Sequence, residues 1–336
     1  MCFIALFEVF PRIAFRFFRS MLPVLSFSHA ANMQHASKMQ FGRKWMPDTS
    51  PFTVSPQWLE ERLEQPGLSI VDGSWYLPAQ NRDAKAEYEA GHIPRAVFFD
   101  HDMIVDPASD QVHALPPPEV FARVVGSMGI AADDTIVVYD GPGLFSAARV
   151  WWMFRVMGAA KVFILEGGAD RWKAEGRPIT SETTKIAPNL FEANFDAGRV
   201  ALLDDMRRIV DSGDSQIADA RPAGRFAGVD PEPRPGVRGG HMPNASNVPA
   251  SDLSRDGKLL PPDELRAKFE QAGIDLSRPV VTSCGSGITA AVLTLALETL
   301  GHTDNRLYDG SWSEWGGRSD TPVVTGLTRT VHKAQT

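Results

Sequence analysis

Hydrophobic positions along this chain form short β-branched runs that alternate with longer, mostly amphipathic stretches. The clearest run, residues 279–283 (PVVTS), is apolar and follows a proline, which predicts a short buried strand. The stretch from Ala290 to Leu300 (AAVLTLALETL) predicts a helix that ends at Gly301. Because strands and helices alternate in this way over most of the chain, we predict an α/β fold with mostly parallel sheets flanked by helices.

Three segments of the first half of the chain reappear, at similar spacing, in the second half. Residues 91–96 (GHIPRA) correspond to 240–245 (GHMPNA), 136–143 (IVVYDGPG) to 280–287 (VVTSCGSG), and 166–172 (EGGADRW) to 309–315 (DGSWSEW). Such an internal repeat indicates two copies of one structural unit. We therefore predict two tandem modules, at residues 50–177 and 197–325. The polar, proline-containing stretch at 178–196 is predicted to link them.

Cys284 lies between the predicted strand and the predicted helix, in the loop 284–289 (CGSGIT). Two glycines allow the backbone of this loop to curl so that several N–H groups point at one spot, which the helix N-terminus also faces. An anion at that spot is stabilised, and a nucleophilic cysteine reacts as its thiolate anion. The alternative is a buried, inert cysteine. The features of this loop favour a reactive cysteine over an inert one.

The two modules differ at the residue that corresponds to Cys284, because the first module has Asp140 there. A carboxylate cannot replace a thiolate in sulfur chemistry. We therefore predict that the second module carries the reaction and that the first module helps to build the cleft, since ligand sites are often found between domains.

Composition and charge exclude several classes of protein. The 336 residues suffice for two domains, and the net charge of −7 gives no reason to expect a nucleic-acid partner. The only cysteines are Cys2 and Cys284, and neither has a cysteine or histidine at the spacing of a zinc site. We therefore predict no disulfide and no metal. A free thiol fits a reducing compartment, and we expect the protein in the cytoplasm.

The first 47 residues differ in composition from the rest of the chain. Residues 1–42 contain one acidic side chain, Glu8, together with several arginines in an aromatic, apolar run. No run of about 18 uncharged apolar residues occurs, so we predict no transmembrane helix. The segment resembles a transit peptide, which would place the protein in mitochondria. We favour a disordered leader or a misassigned start, because four later methionines could each begin the chain: Met21, Met33, Met39 and Met46.

Residues 326–336 are predicted to form a short solvated tail.

Three known functional motifs do not match this chain. Residues 141–146 (GPGLFS) imitate a dinucleotide-binding loop, but the third glycine is missing and Pro142 stiffens the backbone. The sequence around Ser286 is not the Gly-x-Ser-x-Gly elbow of serine hydrolases. A cysteine phosphatase needs an arginine that closes its loop, where this chain has Ala290.

A tandem module with an active loop in its second copy resembles the rhodanese-type sulfurtransferases, and the resemblance covers nearly all of residues 50–325. Family members that act on thiosulfate tend to have basic residues after the cysteine, and those that act on 3-mercaptopyruvate have CGSGVT. This chain has CGSGIT, a single Val-to-Ile difference that leaves the loop neutral. Residues 72–77 (DGSWYL) and 308–312 (YDGSW) also resemble the 3-mercaptopyruvate branch.

The resemblance implies a reaction and a set of partners. The Cys284 thiolate would attack the sulfur of 3-mercaptopyruvate, pyruvate enolate would leave, and the cysteine would carry the sulfur as a persulfide. A thiol acceptor such as thioredoxin, or cyanide, would then remove the outer sulfur. The reaction requires no cofactor. We expect a small-molecule sulfur donor, no nucleic acid, no membrane and a monomeric protein.

The resemblance also implies which residues bind the substrate. Arg225 and Arg234 match the two arginines with which the family binds the substrate carboxylate, and the planar guanidinium group suits that role. The surface alternative for each is a salt bridge of little energetic value. Four residues of the cysteine loop are predicted to complete the substrate site: Gly285, Gly287, Ile288 and Thr289.

Proton transfer is the second role that the resemblance assigns. Asp102 and His113 match a Ser-His-Asp relay in which Ser286 is the hydroxyl. The aspartate would fix the tautomer of the histidine, and the histidine would tune the serine hydroxyl. His101 is close to both in sequence, and this leaves the assignment of the histidine open.

Two other functions stay open. A thiosulfate sulfurtransferase would share the fold, but the neutral loop gives less attraction for a dianion. A non-catalytic persulfide or thiol-redox sensor would oxidise Cys284 without turnover. The pair Arg225 and Arg234 argues against the sensor, since a sensor has no use for a carboxylate pocket.

Overall fold

The computed structural model describes residues 50–326, so our predictions for residues 1–47 and for the tail after Gly326 lie outside the described part of the chain. Parallel strands form two sheets. The strands of the first half are β1 (Thr53–Val54), β2 (Leu68–Asp72), β3 (Ala96–Phe98), β4 (Thr135–Tyr139) and β5 (Val162–Leu165). Those of the second half are β6 (Val200–Ala201), β7 (Gln216–Asp219), β8 (Ala245–Asn247), β9 (Ser254–Arg255), β10 (Lys258–Leu259), β11 (Val280–Ser283) and β12 (Asn305–Tyr308).

Helices connect the strands in both halves. The first half has α1 (Pro56–Glu60), α2 (Ala84–Ala90), α3 (Pro118–Ser127), α4 (Ala147–Val156) and α5 (Gly168–Ala174). The second has α6 (Leu203–Ser212), α7 (Ala223–Phe226), α8 (Pro262–Gln271), α9 (Ala290–Thr299) and α10 (Ser311–Gly317). Single 3₁₀ turns lie at Pro78–Gln80, Ala197–Arg199 and Ala250–Leu253. Local sequence explains several starts: α1, α3 and α8 begin with proline, which cannot donate a hydrogen bond and needs none there.

The two five-stranded sheets have the same topology. Their strand orders are β1-β5-β4-β2-β3 and β6-β12-β11-β7-β8, and every neighbouring pair is parallel. Numbered within each half, both orders read 1-5-4-2-3. The second half adds the small antiparallel hairpin β9–β10. The predicted pair of parallel α/β modules is confirmed.

Two helices pack the modules against each other. All residues of α9 are buried, and so are nine of the ten residues of α4. A helix that is apolar on all sides is buried on all sides, which explains why α9 is almost entirely apolar, and its buried Glu298 is paired with Arg155 and Arg199. One hydrophobic cluster includes side chains of both helices and continues into both modules. The modules therefore form one rigid frame around the space between them.

Other features of the described chain are simple. Residues 178–196 contain no helix or strand, but Thr180 forms an isolated antiparallel bridge with His92, and Phe191 is buried. Within residues 50–326, no helix is long and apolar enough to cross a membrane. Both sheets direct the carboxyl ends of their strands toward loops, which is where ligands bind in parallel α/β folds.

Candidate active site

Cys284 directly follows strand β11, and residues at the start of α10 hold its backbone in place. Cys284 is buried, with 2% of its surface exposed. Its backbone N–H donates to the Ser311 hydroxyl at 3.1 Å, and its carbonyl accepts from the N–H of Trp312 at 2.9 Å. Ser311 adopts a left-handed backbone conformation (φ 49°), which is unusual for a residue other than glycine. The start of α10 thus fixes the position of the cysteine.

The N–H groups of the cysteine loop remain available to an anion. Within the described chain, none of the N–H groups of residues 285–289 donates to a protein acceptor. The corresponding loop of the first module is filled by its own side chain: the Asp140 carboxylate accepts from the N–H groups of Gly143, Phe145 and Ala147 at 2.5, 2.8 and 2.9 Å. The N–H groups of this loop therefore converge on one carboxyl group, where they oppose the rise in the pKa of Asp140 that burial causes.

The space above Cys284 is a cleft between the modules, with a volume of about 210 Å³. Its wall from the first module consists of Trp75, Leu77, Leu144 and Phe145. Of the loop residues predicted to contact substrate, Gly285, Ile288 and Thr289 line the cleft. Gly287 (φ 82°) lies behind the loop instead, where a Cβ atom would come within 3.0 Å of Arg149 Nη1.

Arg225 and Arg234 both line this cleft and both keep free donors. Arg225 binds Glu232 through Nη2 at 2.5 Å, while its buried Nε has no hydrogen-bond partner among the described residues. Arg234 makes no hydrogen bond or ion pair within residues 50–326. Burial, and to a smaller extent the charge of Arg225, lower the pKa of Arg234. The charge of an anionic ligand would offset both effects.

Two other arginines near the cleft are engaged elsewhere. The buried Arg221 binds Asp219 at 2.7 Å and Glu232 at 2.8 Å. Arg238 donates to backbone carbonyls at the end of α10 and beyond. Their guanidinium groups serve the structure of the second module, and this leaves Arg225 and Arg234 as the candidates for anion binding.

The structure brings the predicted relay residues together across the module boundary. His113 Nδ1 lies 3.0 Å from the Ser286 hydroxyl, and His113 Nε2 lies 3.2 Å from the Asp102 carboxylate. The histidine side chain is 3% exposed, whereas that of Asp102 is 68% exposed. The hydrogen bond to His113 lowers the pKa of Asp102. The aspartate therefore stays ionised and can orient the imidazole.

His101 lies apart from this relay. Its Nε2 donates to the carbonyl of Gly73 at 2.9 Å, in a fully buried position. Burial lowers the pKa of His101 to about 3. A neutral imidazole that spends its donor on a backbone carbonyl has a structural role, so the geometry separates His101 from His113.

Replacement of His101 by glutamine is expected to remove one acid-sensitive contribution to stability. The unfolded histidine takes up a proton near pH 6.5, whereas the folded one does so only near pH 3. Between these values the unfolded chain binds more protons, and acid therefore favours unfolding. From pH 7 to pH 5, the free energy of unfolding of the wild type should fall by about 2 kcal/mol relative to that of the variant. Urea titrations at both pH values measure this, and a constant difference would contradict the buried neutral state.

Two residues with clear roles in the geometry were not predicted. Trp75 donates its indole N–H to Asp102 at 3.3 Å and packs edge-on against His113. Ser311 holds the backbone of Cys284. The available signal was the repeated Gly-Ser-Trp sequence, at residues 73–75 and 310–312, because both copies follow a strand that ends near the cleft.

Metal binding finds no support in this part of the chain. Among residues 50–326, no three His, Cys, Asp or Glu side chains lie close enough to hold a metal ion. The polar side chains that line the cleft include one thiol, three hydroxyl groups and three guanidinium groups, of which that of Arg221 is already paired with Asp219 and Glu232. Such a set suits nucleophilic chemistry on a small anion.

Comparison with known proteins identifies the family. The model of the rhodanese-like domain matches twice, at residues 55–175 and 202–318. A protein named 3-mercaptopyruvate sulfurtransferase from Escherichia coli is 43% identical over 271 residues, which cover 80% of this chain and 96% of that one. A protein named thiosulfate/3-mercaptopyruvate sulfurtransferase 1, mitochondrial, from Arabidopsis thaliana is 41% identical over 297 residues, which cover 82% and 78%.

A solved structure agrees with the sequence relatives. The crystal structure of SseA from Escherichia coli, described as a 3-mercaptopyruvate sulfotransferase, superposes with a TM-score of 0.73 at 40% identity. The match covers 78% of this chain and 98% of that one. The resemblance inferred from the sequence is therefore confirmed. This chain belongs to the rhodanese family and is a tandem rhodanese-type sulfurtransferase.

Proposed function

We propose that this chain transfers sulfur from 3-mercaptopyruvate, through a persulfide on Cys284, to a thiol acceptor or to cyanide, with release of pyruvate. One observation carries the proposal: an uncharged loop with free N–H groups surrounds the thiol, while Arg225 and Arg234 offer free donors in the same cleft. This arrangement suits a donor that has its anionic group at one end and its sulfur at the other.

Substrate binding places the carboxylate at the arginines. A guanidinium group pairs with a carboxylate through two parallel hydrogen bonds, each stronger than a neutral hydrogen bond. The apolar wall formed by Leu144 and Phe145 excludes water from the opposite side of the cleft. The sulfur of the donor then lies above Cys284, since both arginines and the thiol line one small cavity.

The transfer step conserves atoms and charge. The Cys284 thiolate forms a bond to the donor sulfur, and the carbon–sulfur bond of the donor breaks. Its electron pair stays on carbon as pyruvate enolate, which the neighbouring ketone stabilises. The proton of the donor thiol ends on that carbon, so the products are a persulfide anion and pyruvate. The loop N–H groups stabilise thiolate and persulfide alike.

The relay of Ser286, His113 and Asp102 assists the proton movement. The Ser286 hydroxyl lines the cleft and contacts His113 Nδ1. The Ser286 hydroxyl can exchange a proton with the departing enolate on one side and with His113 Nδ1 on the other, while Asp102 on Nε2 holds the tautomer of the imidazole. Gly285, Ile288 and Thr289 contribute shape and backbone donors to the cleft. Gly287 acts behind it, through the curvature of the loop.

The second half of the cycle needs an acceptor. A thiolate of thioredoxin type, or cyanide, attacks the outer sulfur of the persulfide and regenerates the Cys284 thiolate. We propose that the protein acts as a monomer in the cytoplasm. The mitochondrion is the alternative location, if residues 1–47 serve as a transit peptide.

Donor preference tests the proposal. We expect kcat/KM for 3-mercaptopyruvate to exceed that for thiosulfate at least ~10-fold, a difference of about 1.4 kcal/mol in transition-state binding, with pyruvate formed in step with thiocyanate. Faster turnover of thiosulfate would overturn the proposal in favour of a thiosulfate sulfurtransferase, the other donor in the name of the Arabidopsis relative. Oxidation of Cys284 without turnover of either donor would favour a sensor.

A further inference from the structure

Arg149 belongs to helix α4 of the first module, yet its guanidinium group reaches the second module. The side chain is 1% exposed. Its Nη2 donates to the Asp309 carboxylate at 2.6 Å and to the carbonyl of His113 at 2.8 Å. Its Nη1 lies against Gly287, at the back of the cysteine loop, and has no hydrogen-bond partner within residues 50–326. This one side chain therefore contacts the backbone of His113, the residue that follows β12, and the cysteine loop.

The segment that Arg149 holds has an unfavourable backbone. His113 has φ 60°, a left-handed conformation that costs a residue with a side chain about 1 kcal/mol or more. Two contacts from Asp309 and Arg149 retain it: Arg149 binds the His113 carbonyl, and the Asp309 carboxylate accepts from the N–H of Leu115 at 2.8 Å. Among the described residues, the His113 backbone itself makes no other hydrogen bond, and the adjacent Ala114 adds only a long bond to the Gln111 carbonyl at 3.4 Å and one from the Asp106 N–H at 3.1 Å.

We propose that Arg149 is a positioning residue for sulfur transfer, because it clamps the backbone of His113 and thereby keeps its imidazole on Ser286. The proposal rests on the role of His113 given under the proposed function. Arg149 does not touch the substrate cleft, and it acts through the histidine. The module without a nucleophile therefore supplies both the histidine and the arginine that aligns it.

Geometry, rather than charge alone, gives Arg149 this role. A guanidinium group can bind a carboxylate and a carbonyl at once. A lysine side chain is shorter than that of arginine and carries all its donors on a single nitrogen atom. Lysine keeps the positive charge near the cysteine loop. Arg149→Lys therefore separates clamping from a general electrostatic effect on the thiolate.

The matched control lies on the same helix. Arg155 also bridges to the second module, through Glu298 at 2.8 Å, and it is remote from the relay. Arg155→Lys therefore weakens a comparable ion pair between the modules without touching the His113 segment. A role of Arg149 in holding the modules together would predict similar effects for both variants.

The test is a cycle of full-length variants: Arg149→Lys, His113→Ala, their combination, and Arg155→Lys. We expect His113→Ala to lower kcat for pyruvate release ~100-fold or more, and Arg149→Lys to lower it at least ~10-fold with KM for 3-mercaptopyruvate nearly unchanged. The kcat of the combined variant should lie within about 2-fold of that of His113→Ala alone, because Arg149 acts through the His113 side chain. Arg155→Lys should keep wild-type kcat.

Three results would overturn the inference. Wild-type kcat in Arg149→Lys would show that the clamp is not needed, while a low kcat in His113→Ala would leave the proposed function standing. Losses that multiply in the combined variant would show that Arg149 acts independently of His113. Full activity of His113→Ala would remove the relay itself from the proposed function, and the reason for the clamp with it. Thermal unfolding of every variant checks that it folds. If Arg149→Lys fails to fold, Arg149→Gln is measured in its place.

Discussion

Cys284→Ser is expected to lower sulfur transfer from 3-mercaptopyruvate at least ~10³-fold, to the background of the donor in buffer. A serine hydroxyl is far less acidic than a thiol, so it supplies almost no anion to the loop N–H groups at neutral pH. It also forms no stable bond to sulfur that could be passed on to an acceptor. The loop, the arginines and the relay remain in place, and the loss therefore isolates the nucleophile. Coupled measurement of pyruvate gives the rate.

The preceding residue supplies the control. Ser283 is the last residue of β11, and its buried hydroxyl has no hydrogen-bond partner in the described part of the chain. Ser283→Ala therefore removes one oxygen beside Cys284 without breaking a contact, and its activity should stay near that of the wild type. Substantial transfer by a folded Cys284→Ser protein would show that another group carries the sulfur.

Arg234→Ala is expected to reduce kcat/KM for 3-mercaptopyruvate roughly 10- to 100-fold, mainly by raising KM. The estimate takes about 1.5–3 kcal/mol for a charge-assisted hydrogen bond to a carboxylate, at 1.4 kcal/mol per factor of ten. Arg234 has no ion pair within the described residues, so its removal leaves no orphaned protein charge. Arg225→Ala is less clean, since it deprives Glu232 of one of its two arginines. KM for the acceptor should be unaffected by Arg234→Ala.

An arginine outside the cleft provides the comparison. The Arg255 side chain is 66% exposed and pairs with Glu264 at 2.9 Å on the surface. Exposed pairs of this kind contribute little, so Arg255→Ala should retain the donor KM. An unchanged donor KM in Arg234→Ala would place the substrate carboxylate elsewhere in the cleft.

Local sequence patterns predicted the two modules and the strand, loop and helix around Cys284. The repeat near Cys284 and Asp140 is a continuous pattern of strand, turn and helix. The preferences of neighbouring residues determine these elements, so a short segment of sequence is enough to predict them. The apolar run of α9 predicted a helix, but only the structure shows that this helix packs on α4 between the modules.

Contacts between distant residues could not be predicted in the same way. His101 and His113 differ in environment because of Gly73 and Ser286, and Ser286 is 173 residues from His113 in the chain. The ion pair between Arg149 and Asp309 joins residues that are 160 positions apart. Each pairing depends on how the two modules pack, which no single segment of sequence encodes.

The central claim is that Cys284 becomes a persulfide at the expense of 3-mercaptopyruvate. Intact mass of the purified protein after brief exposure to this donor, with pyruvate followed in the same sample, tests it most directly. We predict a gain of one sulfur atom and one equivalent of pyruvate in the wild type, no gain in Cys284→Ser, and loss of the added sulfur when cyanide follows. A folded wild-type protein that gains no sulfur, or a Cys284→Ser protein that gains it equally, would contradict the account.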